Sequence, residues 1–142
     1  MGGWKRIGCA VDFSEGSRPA LREAIDLARR SEGTLVLLHA EELPGVTDIP
    51  PPQSVVDELR REARVTLDAW VREAAASLGR PVEGEVLPGP AAPAVARAAA
   101  DRGLELLVTG THGRRGFRHL VLGSVAERLV HLAHCPVLVV RA

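Results

Sequence analysis

Glycines with a fixed spacing near the C-terminus are the feature of this 142-residue chain with the most chemical content. Two residues separate Gly110 from Gly113, and nine further residues separate Gly113 from the pair Gly123-Ser124. Glycine lets backbone N–H groups approach a ligand without an intervening Cβ atom. Gly123-Ser124 also begins a helical pattern, whose first N–H groups have no partner within the helix. The spacing therefore predicts a phosphate cradle; turn glycines and an ordinary helix N-cap are the alternative.

The nine-residue spacer is locally basic in a chain that is otherwise neutral. It contains Arg114, Arg115, Arg118 and His119. Guanidinium groups beside glycine amides favour a polyphosphate, although a solvated basic loop is an equally good interpretation. Lys plus Arg equals Asp plus Glu at 18 each, so the chain has no overall charge to attract nucleic acid or an anionic membrane.

A second polar cluster, Asp12-Phe13-Ser14, follows the first apolar run. Asp12 could accept a hydrogen bond from a ribose hydroxyl or an adenine amine, or hold a water on a phosphate-bound metal ion. It could equally cap the first helix together with Ser14. The two roles are compatible.

Apolar periodicity predicts five strands that alternate with four helices. Ser54 and Asp57 predict a capping box at the start of the second helix, after a proline-rich loop over one end of the sheet at 41–53. Val55 and Leu59 begin its apolar stripe. The predicted strands are 6–11, 34–40, 82–87, 104–109 and 136–140, and the predicted helices are 17–32, 54–78, 93–102 and 124–134.

This alternation predicts one α/β domain over residues 1–142, with a mostly parallel sheet and helices on both faces. In such a sheet the ligand lies beyond the carboxyl ends of the strands, where the winding direction reverses. If the first and fourth strands are neighbours there, the Asp12 turn and the Gly110 turn face each other across one crevice. The composition, 46% hydrophobic without a leader-like or membrane-spanning segment, leads us to expect a cytoplasmic protein.

Several segments resemble the universal stress protein family. They are Val11-Asp12-Phe13-Ser14, Leu37-Leu38-His39, the glycine pattern with Val125, and Cys135-Pro136 followed by the apolar run that ends at Val140. The similarity runs the whole length and is to the nucleotide-binding branch, whose hallmark is this glycine spacing. The resemblance implies an open parallel sheet of order 3-2-1-4-5, like that of the adenine nucleotide alpha hydrolases. It also implies ATP bound with Mg²⁺ or Mn²⁺, and homodimers paired through the last strand.

Carried over position by position, the resemblance assigns site residues. On the phosphates and ribose it places Gly110, His112, Gly113, Gly123, Ser124 and Val125, with Arg114 beside them in the spacer. Ala10, Val11 and Asp12 would border the adenine and ribose. Ala40 and Thr109 stand where the branch often has larger apolar residues, which implies a wider or more polar base pocket and weaker selectivity for adenine.

No catalytic group accompanies the glycine pattern: the chain has no GxxxxGK[ST] loop and no evident nucleophile with a base. The sequence therefore predicts an ATP-holding regulatory module of a stress response, with an unidentified protein partner. One alternative is a slow ATPase or phosphotransferase in which Asp12 or His112 positions water. The other is a dimeric interaction protein that holds no nucleotide.

The last predicted strand, Pro136 to Val140, suggests how a dimer would form. If it lies at the sheet edge, only Arg141 and Ala142 follow it to cover its unpaired backbone groups, so a second copy could pair with it. Cys9 and Cys135 are expected to be buried free thiols. His39 is expected to pack at a strand end, and His131 and His134 either suit the helix dipole or bind metal.

Overall fold

The computed structural model describes residues 3–42, 49–111 and 122–141. Within these ranges, strands and helices alternate as predicted. The strands are β1 (Arg6–Ala10), β2 (Thr34–Glu41), β3 (Glu83–Pro88), β4 (Leu106–Gly110) and β5 (Val137–Val140). The helices are α1 (Ser17–Ser31), α2 (Gln53–Leu78), α3 (Ala91–Asp101) and α4 (Ser124–Leu132). In the described part of the chain, no helix has the length and apolar character needed to span a membrane.

All strands are parallel, and their order across the sheet is β3-β2-β1-β4-β5, which confirms the predicted fold. β1 is central: Cys9 is in register with Leu37 of β2 and with Val108 of β4. The chain winds outward from β1 to β3, then returns across the sheet to β4. The carboxyl ends of β1 and β4 therefore meet at the point of reversal.

Both faces of the sheet are covered, which explains why the central strands are almost continuously apolar. Leu35 and Leu37 of β2 pack with α1 and α2 on one face, whereas Val36 and Leu38 pack with α3 and α4 on the other. Burial on both sides makes β2, β1 and β4 the rigid centre from which the loops at the carboxyl edge project.

The helix α2 begins at Gln53, and the capping box predicted at Ser54 is wrong. Pro52 is the N-cap residue, and no side chain caps this end. The Pro52 carbonyl accepts hydrogen bonds from the amides of Val55 and Val56, so the helix starts directly after the prolines. Its buried stripe consequently begins at Val56 rather than at Val55, which is 44% exposed.

The other element ends lie within two residues of the predictions. β1 stops at Ala10, although the amide of Val11 still donates to the carbonyl of Leu38 at 2.9 Å. α3 starts at Ala91, before Pro93, because proline is tolerated in a first turn whose N–H groups lack partners anyway. α4 ends at Leu132, since Ala133 is extended.

Both cysteines are free thiols, as expected. Cys9 is completely buried, and burial raises the pKa of its thiol to about 12. Cys135 is half-buried rather than buried, and partial desolvation raises its pKa as well. Both thiols are therefore protonated at neutral pH, which disfavours nucleophilic or redox chemistry at either.

Candidate functional site

A cleft opens at the carboxyl edge of the sheet where β1 and β4 end side by side. The space enclosed within it is about 80 Å³, and about 550 Å³ when the open mouth is included. All but one of the described residues that the sequence assigned to the site line it: Ala10, Val11, Asp12, Ala40, Thr109, Gly110, Gly123 and Val125. The exception is Ser124, which is exposed at the first position of α4. His112, Gly113 and Arg114 lie outside the described residues, as do Arg115, Arg118 and His119.

The N-terminus of α4 forms one wall of this cleft. The Gly123 amide donates to the carbonyl of Thr111 at 2.6 Å, which ties the start of the helix to the exit of β4. Gly123 is the N-cap residue and has an extended backbone, with no side-chain cap among the described residues. The first amide that donates within the helix belongs to Glu127. Among the described residues, the N–H groups of residues 124–126 have no partner within the helix, which suits an anion at the positive end of the helix dipole.

Asp12 faces the cleft in a fixed orientation. Its Oδ1 accepts hydrogen bonds from the Ser14 amide at 3.0 Å, from the Ser14 hydroxyl, and from the Ser17 hydroxyl at 2.6 Å. In return, the Asp12 amide donates to Ser17 Oγ at 3.0 Å. The predicted capping role is wrong, because Gly16 is the N-cap residue of α1 and no side chain caps the first amides of this helix. The Asp12 carboxylate instead closes the turn through Ser14 and links it to Ser17, the first residue of α1.

Phe13, next to Asp12, has a left-handed backbone with φ of 66°. This conformation costs a non-glycine residue about 1–2 kcal/mol. Its ring stacks on His39 with centroids 4.1 Å apart and meets Trp70 edge-on at 5.6 Å. Arg18 covers the Trp70 ring at 3.8 Å. These aromatic contacts offset the backbone cost and hold the turn against β2 and α2.

The opposite side of the cleft is lined by small side chains, one of them apolar and the other polar. Ala40 is half-buried and Thr109 is 6% exposed, and both border the cleft. A methyl group at Ala40 leaves space, while the Thr109 hydroxyl adds a polar group. The residue types at these two positions were the basis for predicting a wider, more polar base pocket.

Some cleft residues escaped the sequence analysis. Ser17 lines the cleft from the start of α1, and Ala91 and Val95 line it from α3 on the opposite face of the sheet. The predicted strand order was a signal for Ser17, because α1 follows β1 at the reversal, but not for Ala91 and Val95, because α3 follows the edge strand β3. His39 packs at the end of β2 as predicted, and it is 2% exposed.

Within the described ranges, no group of three or more His, Cys, Asp and Glu side chains could hold a metal ion. His131 lies exposed in the last turn of α4, a position that suits the helix dipole. Two further clefts run beside β3. One contains Glu41, Glu42 and Arg60, and the other lies between β3 and α3. Neither lies at the reversal of winding, where ligands of open α/β sheets bind.

Comparison with known proteins identifies the family. The model of the universal stress protein family matches residues 3–141. The chain belongs to the universal stress protein family. It is 31% identical over 140 residues to universal stress protein MJ0531 of Methanocaldococcus jannaschii, across 97% of this chain and 82% of that protein. It is also 31% identical over 143 residues to universal stress protein YxiE of Bacillus subtilis, across 93% of this chain and 95% of the relative.

Solved structures of the family share the fold. Universal stress protein UspA from Lactobacillus plantarum superimposes with a TM-score of 0.85 at 24% identity, covering 99% of this chain and 100% of the other. The Archaeoglobus fulgidus protein in complex with dAMP gives 0.69 at 23% identity, covering 96% and 97%. A universal stress protein in complex with cAMP gives 0.71 at 23% identity, covering 98% of each chain.

Removal of the Ser17 hydroxyl should destabilise the Asp12 turn. We expect Ser17→Ala to lower the free energy of unfolding by about 1–2 kcal/mol, because two hydrogen bonds of a buried hydroxyl are lost. Urea denaturation at a fixed protein concentration measures this. Ser54→Ala is the matched control: this exposed serine makes no capping bond, so its stability should change by less than about 0.5 kcal/mol. Equal losses in the two variants would contradict the network described here.

Proposed function

We propose that this universal stress protein binds ATP, with Mg²⁺ or Mn²⁺, in the cleft between β1 and β4, and acts as a nucleotide-dependent regulatory module in a stress response. The observation that carries the proposal is a convergence: Gly110, the open N-terminus of α4 and the fixed carboxylate of Asp12 border one cleft at the reversal of winding. The cAMP and dAMP complexes of related proteins support the same chemical class, an adenine nucleotide.

In this proposal the two sides of the cleft hold different parts of the nucleotide. The phosphates and ribose contact the glycine pattern and the start of α4, which comprise Gly110, His112, Gly113, Arg114, Gly123, Ser124 and Val125. The adenine and ribose contact the ends of the inner strands, which comprise Ala10, Val11, Asp12, Ala40 and Thr109. Unpaired helix amides suit an anion, whereas small apolar side chains beside a buried strand suit a flat base.

The divalent cation would reach the site on the triphosphate itself. Asp12 is the carboxylate among the described residues that line the cleft, and its Oδ1 already accepts bonds from Ser14 and Ser17. Mg²⁺ commonly keeps most of its waters and is held by phosphate oxygens with few protein ligands. We therefore assign no protein ligand to the ion, whose contribution would be to neutralise phosphate charge.

We also propose that residues 1–142 act as one domain in the cytoplasm, a compartment in which thiols are kept reduced, as the free cysteines require.

A nucleotide bound against the start of α4 and the Asp12 turn would alter the surface at the carboxyl edge. A protein partner that reads this edge would then distinguish the loaded from the empty form.

Calorimetry should detect saturable binding of ATP with Mg²⁺. Gly123→Val adds a branched side chain at a cleft-lining position and should abolish binding, with an unchanged circular dichroism spectrum. Ser124→Ala should weaken binding by about 1–2 kcal/mol through loss of a hydroxyl contact. Ser54→Ala, another exposed first-turn serine, serves as the control and should bind like the unmodified protein. Full ATP affinity in both Gly123→Val and Gly113→Ala would exclude the phosphate cradle.

The isolated protein should hydrolyse ATP far more slowly than the roughly 1–100 per second of dedicated phosphotransferases. In the described part of the cleft, the Asp12 carboxylate already accepts hydrogen bonds from the Ser14 amide and the Ser17 hydroxyl, so it is engaged in the turn. A phosphate-release assay at saturating ATP measures the rate. Turnover within that range would contradict a binding module, and loss of turnover with retained binding in Asp12→Asn would then identify a catalytic carboxylate.

We further propose that two copies pair through β5, which is an edge strand. The Pro136 carbonyl accepts a hydrogen bond from the Leu107 amide of β4. Because the backbone groups of successive residues in a strand point to alternate sides, those of Val137 and Val139 point away from β4, toward the unpaired side of β5. On the neighbouring α4, Val130 is 51% exposed and Leu132 is 39% exposed. A second β5 would satisfy the open backbone groups, and the apolar side chains nearby would be covered in the same interface.

Val139→Pro should produce monomers or aggregates, because it removes an outward N–H donor while leaving the ladder to β4 formed through Leu138 and Val140. Light scattering at tens of micromolar protein measures the mass. Val139→Ala keeps the donor and is the control, which should remain dimeric. A monomeric unmodified protein, or a dimeric Val139→Pro, would show that this edge is protected in another way.

A further inference from the structure

The buried ring of His39 lies between two hydrogen-bond acceptors. Its Nδ1 is 2.8 Å from the carbonyl oxygen of Val11, and its Nε2 is 2.9 Å from Oε2 of Glu41. The side chain of His39 is 3% exposed and that of Glu41 is 18% exposed. Neither the site residues predicted from the sequence nor the proposed nucleotide contacts include this pair.

The His39–Glu41 pair needs one proton more than a neutral histidine and an ionised carboxylate carry together. A carbonyl oxygen only accepts, so Nδ1 must carry a hydrogen. Neutral histidine has a single N–H, which would leave the Nε2 lone pair directed at an ionised carboxylate 2.9 Å away. An additional proton, on Nε2 or on Glu41, converts this repulsive contact into a hydrogen bond.

Two contacts indicate that the histidine carries the proton. Phe13 stacks on the His39 ring at 4.1 Å and 24°, and an aromatic face attracts a cation at this distance. Glu41 is partly exposed, so water can solvate its second oxygen and favour the ionised carboxylate. We propose that His39 is an imidazolium at neutral pH, bonded to Glu41 and Val11, and that its charge holds the β1–α1 turn in place.

The turn depends on this contact because the Val11 carbonyl precedes Asp12, whose side chain borders the cleft. His39 also supports Phe13 in its left-handed conformation from the other side of the turn. His39 is thus a positioning residue for the turn. The inference concerns the protein without ligand and does not rest on the proposed nucleotide binding.

The other charged groups on the surrounding elements have different partners. Asp12 of the turn bonds to Ser14 and Ser17. Further bonds are Arg18 of α1 with Glu73 of α2, and Glu85 of β3 with Arg102. Glu41 is therefore the carboxylate that the described structure places on the His39 ring.

Nitrogen-15 NMR of the histidine rings tests the proton directly in the nucleotide-free protein, with His39→Gln to assign the signals. We expect both ring nitrogens of His39 to be protonated at pH 7. Glu41→Gln should shift the Nε2 signal downfield to that of an unprotonated nitrogen, because the amide can donate to it. Glu42→Gln is the control, since Glu42 bonds to the Ala91 amide instead. An unprotonated Nε2 in the unmodified protein, a doubly protonated ring in Glu41→Gln, or a deprotonated ring in Glu42→Gln would overturn the proposal.

Hydrogen exchange tests the positioning role. The Asp12 and Ser14 amides donate within the turn, so their protection factors report its local stability. Glu41→Gln should lower both about fivefold, the ratio that corresponds to losing about 1 kcal/mol of charge-assisted bonding. Glu42→Gln should leave both unchanged. Unchanged protection in Glu41→Gln would overturn the positioning role whether or not the protein binds ATP.

Discussion

Hydrogen bonding of β1 to β2 on one side and to β4 on the other is the constraint on which the rest of the molecule depends. Because α1 follows β1 on one face of the sheet and α4 follows β4 on the other, the carboxyl ends of these two strands border a crevice. The Asp12 turn and the start of α4 are brought together by this topology, although the chain separates them by more than a hundred residues. The cleft is therefore a consequence of strand order, and the local residues determine what it can bind.

Two hydrogen-bond systems keep one wall of the cleft rigid. Ser14 and Ser17 satisfy the Asp12 carboxylate from within the turn, while His39 holds the preceding carbonyl from β2. The first system fixes a negative charge at the mouth, and the second fixes the backbone that carries it. The opposing wall presents helix amides with no side-chain cap among the described residues. A carboxylate that contacts ribose and amides that contact phosphate would divide a nucleotide between the walls.

Much of the fold could be predicted from the sequence, because periodicity and alternation are properties of long segments. The strand order came from the family resemblance, and the structure places Gly110 and Gly123 of the glycine pattern beside one cleft at the carboxyl edge of the sheet. The errors are local. Ser54 offered a plausible cap, but the preceding Pro52 starts the helix one residue earlier and exposes Val55. The pairing of His39 with Val11 and Glu41 was unpredictable, since it depends on a side-chain orientation that a sequence pattern does not contain.

An amide NMR titration with ATP and Mg²⁺ tests whether the nucleotide occupies the cleft at the reversal of winding. We expect saturable shifts for the amides of Asp12, Gly110, Gly123 and Val125, whereas the amides of the exposed Val65 in α2 and of Gly79 at the C-cap of this helix should not shift. Saturable shifts confined to the clefts beside β3, or no shifts at millimolar ATP, would contradict this expectation.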